Sequence, residues 1–328
     1  EIYQRQIIWG VLGVALFLAL SFSNYRRLWD ITPMLYLGVV ALLLVVFVIG
    51  AVRLGAQRWL KIAWFNFQPS EIAKISVVIF LARYYSRKPS EAISLQVNRL
   101  SLWRGFILPF ILVMIPCGLV IEQPDLGSGM IILFIFAAIT LLAGVRIGYL
   151  VSFLILALAA SPVFWHFLKG YQKDRLMVFL NPNVDPLGAG YTIIQAKIAI
   201  GSGGIFGKGW LGGTQSQLHF LPESHTDFIF STFSEQWGFV GSCILLLLYF
   251  VLVRKGISAG MRCQDYFGKL LALGISLMLG IQICVNIAMN LGLAPVVGIP
   301  LPLLSYGGSS LLITFAALGI LASIERRR

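Results

Sequence analysis

The chain has 328 residues, 58% of them hydrophobic and 12% charged, with a formal net charge of +12 and a mean hydropathy of +0.87. That composition excludes a soluble domain of this length and describes a polytopic, all-α membrane protein. The positive charge does not point to nucleic acid, because it is scattered over short connections where it meets anionic lipid heads.

Apolar runs of about 17 to 24 residues predict nine spans, at roughly 7–23, 32–51, 68–85, 104–121, 128–144, 148–167, 229–253, 268–291 and 303–323. One set of connections carries Arg26, Arg27, Arg83, Arg87, Lys88, Arg99, Arg104, Arg146, Arg254, Lys255, Arg262, Lys269 and Arg326 to Arg328. The other carries Arg5, Arg53, Arg58, Lys61, Lys169, Lys173, Arg175, Lys197 and Lys208, five of them in one long loop. The richer set faces the cytoplasm. With nine spans and the C-terminus inside, Glu1 falls outside, which predicts a tenth span ahead of it in the full protein. The four cysteines, Cys117, Cys243, Cys263 and Cys284, lack C-x-x-C spacing. They are expected to be packing residues rather than metal ligands or disulfide partners.

At the third span, Gln68-Pro69-Ser70-Glu71-Ile72-Ala73-Lys74 places Pro69 where a helix starts. Glu71 and Lys74 share a helical face at i, i+3. Charges at that depth are either a structural ion pair or the lining of a polar cavity. Between the fourth and fifth spans, Gln123-Pro124-Asp125-Leu126-Gly127 leaves almost no loop. Asp125 is either the cap of the fifth helix or the partner of Lys74.

Residues 169–228 form a connection far above ordinary loop length, so it is functional or disordered, and its composition favours order. Tyr191 to Ile200 predicts a short amphipathic helix, followed by Gly201-Ser202-Gly203-Gly204 and Gly207-Lys208-Gly209. These glycines are either tight turns or a backbone cradle for a phosphate, without the spacing of a nucleotide loop. His219 and His225 lack the spacing of a zinc site. Glu235, two turns into the seventh span, requires a partner. Pro295, Pro300 and Pro302 with Ser305-Tyr306-Gly307-Gly308 interrupt the last apolar stretch, as happens where a broken helix faces a cavity.

The stretch Leu221-Pro222-Glu223-Ser224-His225-Thr226-Asp227-Phe228 sets polar side chains at the mouth of an apolar helix. Ser224 and Asp227 have the S-x-x-D spacing of a capped start. Asp227 is therefore either a capping residue or a carboxylate kept ionised by the helix dipole, and an ionised carboxylate can act as a general base.

Together these motifs resemble the SEDS family (shape, elongation, division, sporulation) of bacterial cell-wall proteins. The matching pieces are QPSEIAK at 68–74, QPDLGSG at 123–129, GYQKDR at 170–175, NPNVDPLGAGY at 181–191, IIQAKIAIGSGGIFGKGW at 193–210, LPESHTDFIF at 221–230 and PVVGIPLPLLSYGGSS at 295–310. The IIQAKIAIGSGG wording is closer to the rod-shape (RodA) branch than to the division (FtsW) branch. The resemblance implies a ten-span fold of one transmembrane domain over 1–328. It also implies a peptidoglycan glycosyltransferase that polymerises lipid II outside the cytoplasmic membrane, alongside a class B penicillin-binding protein. Asp227 matches the family's essential carboxylate, and Asp125 and Lys74 match its supporting residues. Asn66 departs from the pattern, since some relatives carry Arg there; Arg58 or Lys61 is the substitute cation. The expected supporting set is Lys74, Glu71, Asp125, Arg58, Gln172, Arg175, Lys197, Lys208, Glu223, His225, Thr226 and Ser305. No metal ligand is assigned and no cofactor is required, a divalent Mg or Mn ion being the one candidate. The competing expectation is a lipid II transporter that makes no bonds, which intramembrane charges and broken helices suit equally.

Overall fold

The computed structural model describes residues 2–327 apart from 54–55, 63–64, 87–101, 168–169, 182–184, 186–187, 211, 214 and 216–219. Arg87, Lys88, Arg99, Lys169 and His219 from the sequence analysis lie outside the described residues. The helices are α1 (Ile2–Phe22), α2 (Arg27–Ile49), α3 (Pro69–Tyr85), α4 (Leu108–Glu122, led in by a π-turn at Trp103–Ile107), α5 (Leu126–Leu142), α6 (Ile147–Ala159), α7 (Ser161–Phe167), α8 (Gly170–Leu180), α9 (Ala189–Ser202), α10 (Ile229–Arg262), α11 (Tyr266–Asn290) and α12 (Gly308–Arg326). Eight of the nine predicted apolar segments each overlap one of these helices, whereas 148–167 is divided between α6 and α7. Among the described residues six, α1, α2, α4 with its lead-in, α10, α11 and α12, are long and apolar enough to cross a membrane. α5 and α6 are shorter apolar helices. Large apolar side chains stand exposed along them, among them Leu37, Val48, Leu156 and Leu248. Such a surface belongs in hydrocarbon, with every backbone bond made inside the helix. The chain is a polytopic helical membrane protein.

The sequence pattern missed α8 and, ahead of it, a small sheet. Between α2 and α3 runs a three-stranded antiparallel meander, β1 (Ala51–Arg53), β2 (Ala56–Ile62) and β3 (Phe65–Phe67). Its register pairs Val52 with Gln57 and Lys61 with Asn66. The strands are too short for their alternation to stand out beside the apolar runs.

Two compact units emerge: residues 1–150, 252–281 and 307–328, and residues 151–251 and 282–306. In the first, α1 packs along α12, and α3 packs against α2 and α5. Small residues permit the close approach. A Cβ on Gly13 would run into Phe315, and one on Gly319 into the backbone of Phe17. At the turn before α2, Tyr25 and Arg26 meet Asp265, with the Tyr25 hydroxyl donating to its carboxylate. Burial, then that hydrogen bond, pushes the Tyr25 phenol up.

Two polar networks lie within this unit. Lys74 Nζ is 2.8 Å from Glu71 Oε1, with side chains 1% and 4% exposed, so the pair is the structural ion pair that the i, i+3 spacing allows. Asp125, 2% exposed, caps α5 by accepting from Ser128 N at 3.1 Å. It also accepts from Ser70 Oγ at 2.8 Å and from Gln68 Nε2 at 3.0 Å. The expected partnership of Asp125 with Lys74 is therefore corrected. The lysine is satisfied within its own helix, and the aspartate is filled by neutral donors of the QPS turn. Arg58 joins the same corner, donating Nε to the Gln123 carbonyl at 3.2 Å and a terminal nitrogen to the Pro124 carbonyl. Ser309 Oγ accepts from Gln68 N at 3.1 Å and closes it from α12.

Removing one partner of a buried pair leaves the other charge unmatched, at a cost of about 3–5 kcal/mol. Lys74→Met should therefore lower the thermal unfolding midpoint of the purified protein sharply. The double variant Lys74→Met with Glu71→Leu should recover most of the loss. A double variant no better than the single one would show that the pair is not what sets the cost.

Candidate functional site

The second unit contains the acidic turn. Glu223 takes a positive φ of 51°, and its carbonyl accepts from Thr226 N at 3.1 Å and Phe228 N at 3.3 Å. The Thr226 hydroxyl donates to Glu223 Oε2 at 2.9 Å. These turns occupy the place of the expected capping box, and α10 starts at Ile229, directly after them. Phe228 anchors the turn in a small apolar cluster with Leu221, Ala196 and Val296.

What fixes the turn is a row of hydrogen bonds to three successive carbonyls. The His225 carbonyl accepts from Tyr306 N at 2.8 Å. The Thr226 carbonyl accepts from Ser305 Oγ at 2.6 Å. The Asp227 carbonyl accepts from both Asn286 Nδ2 and Asn290 Nδ2, each at 3.0 Å. Asn286 also donates to the Ile299 carbonyl at 2.7 Å, and Asn290 Oδ1 accepts from Ser231 N and Ser231 Oγ. Ser305 Oγ in turn accepts from Leu301 N at 2.7 Å.

Two buried asparagines, Asn286 and Asn290, thus bind the acidic turn to the proline-rich segment 291–307, the predicted break between the last two long helices. The sequence reading missed both. Their signal was present: two amides at i, i+4 in an apolar helix are costly unless they serve a specific acceptor.

The Asp227 side chain is half-buried. Facing its Oδ2 is Gly298, in the left-handed region at φ 71°, where a Cβ would stand 3.4 Å from that oxygen. Glu223 and His225 are exposed, Thr226 is half-buried and Ser305 is buried, so the expected residues of this stretch do converge.

The glycine-rich stretch after α9 has a different role from a phosphate cradle. The N–H groups of Gly207, Lys208 and Gly209 donate to the carbonyls of Gly203, Glu235 and Gln236, and those of Phe239 and Val240 donate to Gly204 and Ile205. Two glycines back to back make this possible: a Cβ on Gly207 would meet the Gln236 carbonyl, and one on Gly238, where α10 breaks at φ 64°, would meet Gly207 N. Lys208 Nζ is 2.9 Å from Glu235 Oε1, the lysine side chain 27% exposed and the glutamate 0%. Gln215 N donates to the same Oε1 at 3.0 Å. Glu235 has the partner its depth demands, and Lys208 spends part of its charge there. On α9, Lys197 is exposed beside Gly292. On α8, Gln172 is buried and Arg175 half-buried.

Among the described residues no group of three or more His, Cys, Asp or Glu side chains gathers to hold a metal ion. All four cysteines are free, Cys117 and Cys263 buried and Cys243 and Cys284 exposed.

The family model described as a cell cycle protein (FtsW, RodA, SpoVE) matches residues 1–328. The chain belongs to the FtsW/RodA/SpoVE family. Among its relatives, the peptidoglycan glycosyltransferase MrdB of Escherichia coli (strain K12) is 43% identical over 326 residues, covering 99% of this chain and 86% of that protein. The peptidoglycan glycosyltransferase RodA of Treponema pallidum (strain Nichols) is 34% identical, covering 99% and 90%. A solved structure described as "Structural coordination of polymerization and crosslinking by a peptidoglycan synthase complex" contains a chain similar at a TM-score of 0.83 and 33% identity, covering 99% of this chain and 90% of that one. The crystal structure of Thermus thermophilus RodA is similar at a TM-score of 0.71 and 30% identity, covering 99% and 87%. Family membership makes this a multi-pass protein of the bacterial inner membrane.

Asn290→Ala removes one of the two donors to the Asp227 carbonyl and the acceptor for the buried Ser231 N–H and hydroxyl, which are left unmatched at about 1–3 kcal/mol each. The expected outcome is faster amide hydrogen exchange at Phe228 and Ser231 with α1 to α3 unaffected. Unchanged exchange at those amides would show that the asparagine does not hold the turn.

Proposed function

We propose that this chain is a peptidoglycan glycosyltransferase that polymerises lipid II, with Asp227 as its general base. The observation that carries the assignment of the base is the carbonyl row. Three consecutive peptide units are immobilised from outside the turn, so the bond from which the half-buried Asp227 carboxylate hangs has a fixed direction. A fixed acid is what positioning catalysis requires. The identity of the reaction is supported by the relatives named peptidoglycan glycosyltransferase, the first of them 43% identical across 99% of the chain.

The chemistry needs few protein groups. The acceptor sugar hydroxyl loses its proton to an Asp227 carboxylate oxygen as its own oxygen forms a bond to the donor's anomeric carbon. The bond from that carbon to the lipid diphosphate breaks, and the diphosphate leaves with the electron pair. One displacement inverts the anomeric centre, so one base serves where a retaining hydrolase needs two carboxylates. The leaving group requires cations rather than a general acid. Lys197 is the most available of the expected cations in the second unit, being exposed where Lys208 is held by Glu235. Arg175 is the second choice. Lys74, buried against Glu71, supports the fold of its own unit.

The positive-inside pattern puts residues 169–228 outside the membrane, so the reaction belongs to the extracytoplasmic face. A class B penicillin-binding protein is the proposed partner, since the similar solved chain comes from a complex described as coordinating polymerization and crosslinking.

Asp227→Asn preserves size and most hydrogen bonding but cannot accept the proton. It should elute and unfold like the unaltered protein while glycan synthesis from purified lipid II falls at least about a hundredfold, the lower range for loss of a general base. Near-normal polymerisation by a well-folded variant would end the catalytic assignment. Dye-labelled lipid II crossing proteoliposomes without glycan product would instead support the transporter.

A further inference from the structure

Within the first unit, α2, α3 and α4 enclose a cavity of about 430 Å³ that the proposed chemistry does not use. Trp29, Tyr36 and Leu37 line it from α2, Phe80 and Tyr84 from α3, and Leu112 from α4. Its walls are fixed. The Tyr36 and Phe80 rings lie 4.9 Å apart, Tyr36 donates to the Leu112 carbonyl at 2.6 Å, and Tyr84 donates to the Arg104 carbonyl at 2.7 Å. The Leu37 side of the cavity faces outward, that residue being 65% exposed.

At the other end sits Arg83. Its guanidinium carbon is 5.4 Å from the centre of the Trp29 ring, and its Nη1 is buried with no acceptor among the described residues. An arginine N–H enclosed without an acceptor is costly. An oxygen anion supplies what is lacking, because guanidinium forms charge-assisted bonds to phosphate. Arg26, Arg27 and Arg104 lie in the same cytoplasmic set of connections and add to the positive field. Asp30, exposed in the first turn of α2, is not among the lining residues.

We infer that this cavity is a binding site for an anionic glycerophospholipid of the cytoplasmic leaflet, its phosphate on Arg83 and the start of an acyl chain among Trp29, Tyr36, Phe80 and Leu112. A free phosphate would satisfy the arginine but leave four aromatic walls and a lipid-facing mouth without an occupant. A neutral lipid would fill the walls and leave the arginine with weaker charge compensation. The volume is in the range of small-ligand sites, about 300–1,000 Å³. The site lies apart from the acidic turn in sequence and does not depend on the polymerase reading.

Trp29 makes the site observable. The full chain is reconstituted in neutral nanodiscs doped with brominated phosphatidylglycerol or with the same fraction of brominated phosphatidylcholine. The Trp29 signal is taken as the difference from Trp29→Phe. Stronger quenching by the brominated phosphatidylglycerol is expected. Arg83→Gln should weaken that preference about tenfold, the equivalent of one charge-assisted hydrogen bond. Arg83→Lys should retain most of it, and Arg254→Gln, an exposed arginine outside the cavity, should leave it unchanged. Equal quenching by both lipids overturns the inference, as does an Arg83→Gln protein that keeps the preference. Relief of quenching by soluble glycerol phosphate would mark a small-anion site and overturn it too. Should Arg83→Gln fail to fold, the comparison of the two lipids on the unaltered chain still decides.

Discussion

Three carbonyl oxygens, those of His225, Thr226 and Asp227, are the constraint on which the functional half of this protein turns. A peptide carbonyl at a helix mouth in a membrane protein has to find a donor, because hydrocarbon supplies none. Here the donors are a backbone N–H, a serine hydroxyl and two side-chain amides, all from residues 286–306. The arrangement turns an obligation of the backbone into a means of aiming a side chain. It also explains why the long apolar stretch at 291–307 is not helical. A helix there would consume the N–H of Tyr306 internally and carry Ser305 away from its acceptor.

The first unit applies the same principle to charge. Lys74 is neutralised by Glu71 one turn away, and Asp125 is surrounded by a serine, a glutamine and a backbone amide. Neither leaves an uncompensated ion at depth, and both make the QPSEIAK and QPDLG segments a rigid corner. Arg58 donates to the two carbonyls that precede Asp125, which ties β2 to the start of α5.

Much of this was legible in residue order. The apolar runs located the long helices, Glu71 and Lys74 were readable as a pair from their spacing, and the cap at Asp125 was one of two stated alternatives. Glu235 was recognisable as a carboxylate in need of a partner. Most of what escaped in the polar networks depends on contacts between positions far apart in the chain. Nothing near Glu235 names Lys208, 27 residues earlier, and nothing near Asp227 names Asn286 or Asn290. The sheet at 51–67 escaped for a different reason, its strands being too short for alternation to register. The glycine turn illustrates the limit well. Its composition fits anion binding and tight packing equally, and only the geometry shows the Lys208 and Gly209 amides already committed to carbonyls of α10 and the Gly207 amide to Gly203.

The carbonyl row has a consequence for how the protein is made. The acidic turn leaves the ribosome about eighty residues ahead of the last group that holds it, Tyr306. The turn therefore has no fixed setting until residues 286–306 have been synthesised and threaded into the bilayer. A polypeptide halted after α10 would carry the aspartate yet lack every donor, from Asn286 to Tyr306, that fixes its turn.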